Sequence, residues 1–300
     1  MSFVRERKRD EFHSSGERLR EAAKQGKLDQ ISLLISNKAN LESKDGYGNT
    51  ALILAAESVN EDCVEELIRA KARVNAKDNF GQTALMHAVS RGNAQISDML
   101  LKHGAHTNDA TKFGQTALMK AAYTIHHHTH YNIESLLEKK ADPNLKDKDG
   151  RSALMIACEL NKLQSAISMI DAGADVNAAA KDGTTALIIA GIHGNYDLIE
   201  TLVSKGANID AKTGDGNTVK TVKSKLSVMG ISDPDHTRGV EIAVQSGLDI
   251  RAGKKSTTLK EEAEKQREQD EEKAHMAKLV RLRQVADEKK KAEVKAKVLA

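Results

Sequence analysis

Gly81-Gln82-Thr83-Ala84-Leu85-Met86-His87-Ala88 is one copy of a phrase that decides the fold. Its centre, Thr-Ala-Leu, also stands at Thr50, Thr116 and Thr185, with Ser152-Ala153-Leu154 as a variant, so the intervals run 33, 33, 36 and 33 residues. Recurrence at this period marks a stack of small units, none able to bury its apolar face alone. Threonine is a good helix N-cap, because its hydroxyl accepts an orphan backbone N–H of the first turn. Apolar residues then follow at helical spacing. A small polar break comes next, as at Gly92-Asn93 and Gly194-Asn195, and a second helix after it. That helix closes on Gly104, Gly173 or Gly206, where a left-handed cap costs least. Asn, Asp, Lys and Gly fill the stretch up to the next Thr, the composition of a turn. Each unit therefore reads as two short antiparallel helices and an extended turn.

Three aligned copies carry the pattern furthest: Gly48-Asn49-Thr50-Ala51-Leu52 to Leu67-Ile68, Gly81 to Leu100-Leu101, and Gly183-Thr184-Thr185-Ala186-Leu187 to Leu202-Val203. This phrase resembles the ankyrin repeat, about 33 residues with a Thr-Pro-Leu-His-x-Ala motif. The likeness covers about residues 16 to 250. It implies an all-α solenoid of stacked helix-turn-helix units with β-hairpin-like turns. Two departures run throughout. Ala replaces Pro after the Thr, which keeps a helix former but gives up the preset first-turn φ. The motif His is replaced by Ile53, Met86, Met119, Met155 and Ile188, which are expected to pack between units. The array is placed at 16–251, with repeats at about 16–45, 46–78, 79–111, 112–147, 148–180 and 181–213 and a degenerate cap at 214–251. Its last helix is expected over Gly239 to Ser246, closed at Gly247. A basic segment, 1–15, precedes the array and a charged tail, 252–300, follows it.

Composition agrees with this architecture. Apolar residues make up 39% of the chain but aromatics only 3%, with no Trp, which suits thin layers of closely packed helices rather than a thick core. A net charge of +3 is too small to call for a polyanion, so no nucleic-acid partner is expected. No run of 18 or more apolar residues occurs and the basic start leads into no apolar stretch, so a cytoplasmic chain without a membrane span is expected. Arg5 to Arg9 and Lys289-Lys290-Lys291 read as solvated charged ends or, alternatively, as nuclear addresses. Cys63 and Cys158 fall three units apart in register, roughly 30 Å at about 10 Å per layer, far beyond disulfide reach. Buried free thiols are expected.

Stacking in register turns equivalent positions into rows. The resemblance implies that contact residues lie at the turn tips and on the exposed side of the first helix, together forming a concave groove. Three residues before each Thr, the tips carry Tyr47, Phe80 and Phe113, then Asp149, Asp182 and Asp215. Aromatic tips are either folded over neighbouring turns as staples or form an apolar strip for a partner, and hot-spot chemistry favours the strip. Asp before Gly is also ordinary turn chemistry. On the first helix the matching positions are Glu57, Ser90, Tyr123, Glu159 and Ile192, with Arg91 and His193 next to two of them; Tyr123 extends the apolar patch, and Arg151 is a further candidate contact. The expected ligand is a protein or peptide, apolar over units two to four and basic over units five to seven.

Other candidates for chemistry are few. His126-His127-His128-Thr129-His130 sits where unit four is three residues too long. Imidazoles bind zinc, but adjacent side chains on a short loop converge poorly on a tetrahedral site, so these four histidines read as a polar turn and no metal or cofactor is expected. No phosphate loop, nucleophile motif or paired carboxylates occur, which argues against an enzyme. From about Ser256 the tail has strong helix-forming composition. Its short apolar stripe at Met276, Leu279, Leu282 and Val285 offers a contact for a partner or for self-association, against the plainer reading of a free charged helix. The sequence thus points to an interaction scaffold or adaptor. An inhibitory or targeting subunit, and a bacterial effector acting in host cells, are the alternatives.

Overall fold

A computed structural model describes residues 14–124, 129–221 and 236–253. By its internal contacts the chain divides into two bodies, 1–247 and 248–300, and only 248–253 of the second are described. The tail residues Met276, Leu279, Leu282 and Val285, and His126 to His128, lie outside the described residues.

Thirteen helices occur among the described residues. Six consecutive pairs form the units: α1 (Ser15–Gln25) with α2 (Leu28–Ser36), α3 (Ala51–Glu57) with α4 (Glu61–Arg69), α5 (Ala84–Ser90) with α6 (Ala94–Lys102), α7 (Ala117–Tyr123) with α8 (Thr129–Glu138), α9 (Ala153–Glu159) with α10 (Leu163–Asp171), and α11 (Ala186–His193) with α12 (Tyr196–Ser204). The last helix, α13, is His236–Arg251. First helices pack on first helices and second on second down the stack, each also against its own partner. Between units the turns narrow into isolated antiparallel bridges, Lys77 with Thr83, Ala110 with Thr116 and Ala179 with Thr185.

The repeated threonine acts as expected. Its Oγ1 accepts from the N–H three residues on, at 3.4 Å for Thr50 to Ile53, 3.3 Å for Thr83 to Met86 and 3.4 Å for Thr116 to Met119. Ser152 and Thr185 do the same at 3.4 Å. A first helix of seven residues is too short to persist alone, so the cap and burial on both sides hold it. Ile53, Met86, Met119, Met155 and Ile188 are all buried, as are the alanines that let neighbouring helices approach. Both thiols, Cys63 and Cys158, are free and buried.

A second set of bonds crosses three of the joints on the side of the second helices. Asn75 donates through Nδ2 to the Gly104 carbonyl (2.9 Å) and accepts from His106 N–H (2.8 Å). Asn144 repeats this with Gly173 and Asp175, and Asn177 with Gly206 and Asn208. One amide thus satisfies both partners across a unit boundary, which fixes the spacing of layers.

The far end departs from expectation. Helix α13 does not close at Gly247 but runs to Arg251. Gly247 serves packing instead: a Cβ there would stand 2.7 Å from the Glu200 carbonyl oxygen and from Val203 Cβ. A Cβ on Gly239 would stand 2.5 Å from the Tyr196 ring. Both glycines let α13 settle closely on α12.

Two positions are costly. The residue that ends the first helix in the left-handed region is Gly26, Gly92 or Gly194 in three units, and Asn161 in another. In unit two it is Val59, at φ 61° and exposed, although a branched Cβ resists that conformation. The second is Asn132, which occupies the core row filled elsewhere by Cys63, Ile96, Ser165 and Leu198. It is 1% exposed, and neither amide atom meets a partner among the described residues. A buried amide in that state costs about 1–3 kcal/mol.

Two stability gains are expected. Val59→Gly should raise the unfolding free energy by about 0.5–1 kcal/mol by removing the strain. Asn132→Val should raise it by about 1–3 kcal/mol by removing the unsatisfied amide without overfilling the row. Urea titrations of both variants against the parent chain measure these changes, and no gain for Asn132→Val would mean that the amide is satisfied in solution.

Candidate functional site

The turn tips are built from the inside outward. Asp45 Oδ1 accepts from Tyr47 N–H (2.9 Å) and Asn49 N–H (2.8 Å), and Asp78 Oδ1 accepts from Phe80 N–H (2.8 Å) and Gln82 N–H (2.7 Å). Thr111 Oγ1 plays this part for Phe113, and Asp147 Oδ1 for Asp149 and Arg151. The tip carbonyls then accept from the next unit: Tyr47 from Asn79 N–H (2.8 Å), Phe80 from Lys112 N–H (2.8 Å), Phe113 from Lys148 N–H (2.9 Å) and Asp149 from Lys181 N–H (3.0 Å). Glycine follows each tip at positive φ, and from Gly48 to Gly183 space demands it as well: Gly150 has φ 81° and its Cβ would lie 2.9 Å from Lys181 N.

With the main chain consumed in joining units, the tip side chains point outward. Tyr47 is 69% exposed, Phe80 50% and Phe113 59%. Asp149, Asp182 and Asp215 are exposed as well. A backbone ladder thus joins the units at the tips, and half or more of each aromatic residue remains exposed.

Two concavities open along the first helices. One, of about 880 Å³, spans units one to three and brings Tyr47 and Phe80 together with Leu54, Val59, Asp78 and His87. Asp78 is buried, with His87 Nε2 3.4 Å from its Oδ2. The other, of about 470 Å³, spans units five and six and gathers Asp149, Arg151, Glu159, Asp182 and Ile192, all five predicted from sequence. Here Arg151 pairs with Glu159. Burial opposes the Arg151 charge, but Glu159, Tyr123 and Asp147 outweigh it and push its pKa up. Asp182 Oδ1 accepts from Thr184 N–H at 2.9 Å, which with the Thr184 hydroxyl and nearby Arg151 holds the carboxyl below its ordinary range.

Tyr123 stands differently from its expected role. Burial raises its phenol pKa, and its charged neighbours are Arg151, Glu159 and Asp149 of unit five and Asp147 at the boundary before it. It thus stands among charged groups where its unit meets the next. Asp215 lines neither concavity.

The structure also shows a row that the sequence reading passed over. Leu54, His87, Lys120, Ile156 and Ile189 share one register position on the first helices, four after the capping residue; Leu54 and His87 line the larger concavity and Ile189 the smaller, while Ile156 is fully buried. Burial lowers the Lys120 pKa, against the pull of Asp78. The signal was available: this position changes chemistry from unit to unit while the residue before it stays Ile or Met and the one after it stays Ala.

The histidine cluster is partly reassigned. His130 lies in α8 rather than in a loop, with Nε2 3.0 Å from Glu134 Oε1, a carboxylate one turn on. Among the described residues, no three His, Cys, Asp or Glu side chains gather as metal ligands.

The family described as ankyrin repeats (three copies) matches the chain at residues 19–111, 59–147 and 125–213. No curated protein matches it. Among solved structures, the ankyrin repeat domain of Bcl-3, a member of the IkappaB family, is 28% identical with a TM-score of 0.64, covering 76% of this chain and 100% of that one. An ankyrin repeat domain from Acinetobacter baumannii AYE is 31% identical with a TM-score of 0.59, covering 63% of this chain and 98% of that one. A chain in the structure of the predatory endopeptidase Bd0816 of Bdellovibrio bacteriovorus in complex with immunity protein Bd3460 is 32% identical with a TM-score of 0.56, with the same coverage, 63% and 98%.

The thiols have no part in the groove. Burial pushes Cys158 up to about 12 and also raises Cys63. Below pH 9, the ordinary thiol value, folded and unfolded chains both keep the Cys158 proton, so stability does not respond to it. Between pH 9 and about 12 the unfolded chain ionises first, so Cys158 makes stability fall as pH rises. Urea titrations at pH 8 and pH 10 should show this decline, reduced in Cys158→Ala. A thiol reagent at pH 8 should label Cys158 only at the rate of unfolding.

Proposed function

Because the chain belongs to the ankyrin-repeat family, whose repeats are protein–protein interaction modules, we propose that it is a non-enzymatic adaptor holding a protein or peptide in the concave face of its stack. The observation that carries this reading is the contrast between scaffold and surface. Capping threonines, alanines and backbone ladders repeat from unit to unit. The side chains they expose on one face change from Tyr47, Phe80 and Phe113 to Asp149, Asp182 and Asp215. Leaving three of the chain's eight aromatic residues at exposed tips suits a surface that a partner covers.

The ligand in this reading has an apolar segment over units two to four and a basic segment over units five to seven. Lys148 and Lys181 stand next to Asp149 and Asp182 in sequence, so each acid is read by a local contact rather than by a broad negative field. A preformed surface of short, doubly packed helices loses little ordering entropy on association. The tail stripe at Met276, Leu279, Leu282 and Val285 supplies a second attachment. Cytoplasmic placement belongs to this reading, and no described helix is long and apolar enough to cross a membrane.

One observation favours a second reading, an inhibitory subunit. A chain 32% identical to this one comes from a structure in which an endopeptidase is bound to its immunity protein. A regulator changes the rate of its partner enzyme on addition, whereas an adaptor co-purifies with the partner without changing that rate.

Phe80→Ala, Phe113→Ala and Tyr123→Ala should each weaken capture of the partner by about tenfold while leaving the midpoint of thermal unfolding within about 2 °C. Capture by the full chain beside a 1–252 truncation assigns the tail. A fall of many degrees in the unfolding midpoint with unchanged capture would make the rings staples and overturn the groove reading.

A further inference from the structure

A turn tip, the residue seven positions on and the residue ten positions on face the same groove in the units that bound a concavity. Tyr47, Leu54 and Glu57 line the larger one together, and Asp182, Ile189 and Ile192 the smaller. In unit four the same three positions hold Phe113, Lys120 and Tyr123. Phe113 and Tyr123 are exposed, and Lys120 is half-buried, unlike Ile156 of its row, which is covered completely. An ammonium group thus shares the groove side of the middle of the stack with two rings.

The surroundings of Lys120 leave it incomplete. Asp45, Asp78 and Asp147 stand nine residues before Leu54, His87 and Ile156, but before Lys120 that place is taken by the neutral Thr111. The acid whose charge reaches Lys120 is Asp78, from the unit boundary before. Both Asp78 oxygens are already engaged: Oδ1 accepts from the N–H groups of Phe80 and Gln82, and Oδ2 lies 3.4 Å from both Gln82 Nε2 and His87 Nε2. Among the described residues, no hydrogen bond or ion pair reaches Lys120 Nζ. Lys162, also a lysine whose pKa burial lowers, shows the contrast: its Nζ donates to the carbonyls of Ala122 (2.6 Å) and Thr124. A partly desolvated ammonium without an acceptor carries a cost that an incoming anion removes.

The neighbours also select the anion. Asp78 acts on Lys120, and Asp147, Asp149 and Glu159 lie near Tyr123, where Arg151 is already paired with Glu159. A phosphate dianion would meet all four carboxylates, whereas a single carboxylate matches Lys120 charge for charge. The concavities over units one to three and units five to six continue the groove on both sides. A bound segment therefore passes over unit four rather than ending there, and its carboxylate belongs to a side chain.

We propose that Lys120 anchors one Glu or Asp side chain of the partner segment, with the carboxylate on Nζ and the flanking apolar residues against Phe113 and Tyr123. This deepens the groove reading above and rests on it. One acid within an otherwise apolar segment gives that segment a register along the stack, because sliding by a unit would take the carboxylate off the ammonium.

The test selects binders to the full chain from two displayed random peptide libraries, one flanked at both ends and one with a free C-terminus. Peptides from the flanked library should share a Glu or Asp at one position, and selection on Lys120→Met should lose that acid. For a selected peptide read by fluorescence anisotropy, changing its Glu to Gln should cost about tenfold on the parent chain and less than about twofold on Lys120→Met. Phosphoserine in place of that Glu should bind no more tightly. The thermal midpoint of Lys120→Met should stay within about 2 °C of the parent or rise. Selected peptides without a shared acid, or an acid whose effect survives in Lys120→Met, overturn the anchor and leave the groove reading standing. Enrichment of C-terminal carboxylates alone, or tighter binding of the phosphopeptide, overturns the side-chain assignment. A fall of many degrees in the midpoint makes Lys120 a structural partner of Asp78 and overturns the anchor as well. Failure to select any peptide that responds to Phe113→Ala or Tyr123→Ala instead sinks the groove reading itself.

Discussion

One hydrogen bond, repeated at each joint, decides where the exposed side chains stand: the tip carbonyl of one unit accepting the N–H that precedes the tip of the next. Tyr47 with Asn79, Phe80 with Lys112, Phe113 with Lys148 and Asp149 with Lys181 form this ladder. It consumes the outermost main chain, so tip side chains carry recognition and tip backbones carry cohesion. The glycines at 48, 81, 114, 150 and 183 follow from the same constraint, since a Cβ there would crowd the neighbouring turn. On the opposite side the asparagine amides of Asn75, Asn144 and Asn177 hold the same spacing. Between these two lines of bonds the short helices have little freedom to shift, although few would be stable alone.

A scaffold held this firmly can tolerate local cost. Val59 sits at positive φ where other units use Gly or Asn, and its exposed side chain lines the larger concavity. Asn132 sits in a core row otherwise filled by Cys, Ile, Ser or Leu, near the longest link between the two helices of any one unit. Because each unit contacts only its neighbours, such costs weaken particular joints rather than a common core. Units two and four are therefore where the stack gives up stability, and both lie under the aromatic tips.

Most of the fold was legible because its signals are local. Thr-Ala-Leu marked a cap and the buried turn that follows, and the caps stand where the triplet predicted. Gly104, Gly173 and Gly206 marked left-handed ends, and Lys38, Lys71 and Lys140 adopt the same conformation without glycine's signature. Gly247 misled, because a helical glycine at a close helix contact and a glycine at a helix end look alike in one dimension. His130 misled for a related reason: its partner Glu134 matters only once the chain is helical there.

Sequence by itself determined the period, the capping residues, the pairing of helices and the row of tip side chains, since each follows from spacing along the chain. Only the tertiary structure decided which rows face one another. It joined Asp149, Arg151, Glu159, Asp182 and Ile192 around one concavity, turned Tyr123 toward the charges of the next unit, and brought Leu54, His87 and Ile189 of one register row into the concavities. Such contacts run between units some 33 residues apart, and their geometry depends on how one layer is seated on the next. That seating is set by packing and by the two hydrogen-bonded edges acting together, which no single repeat contains.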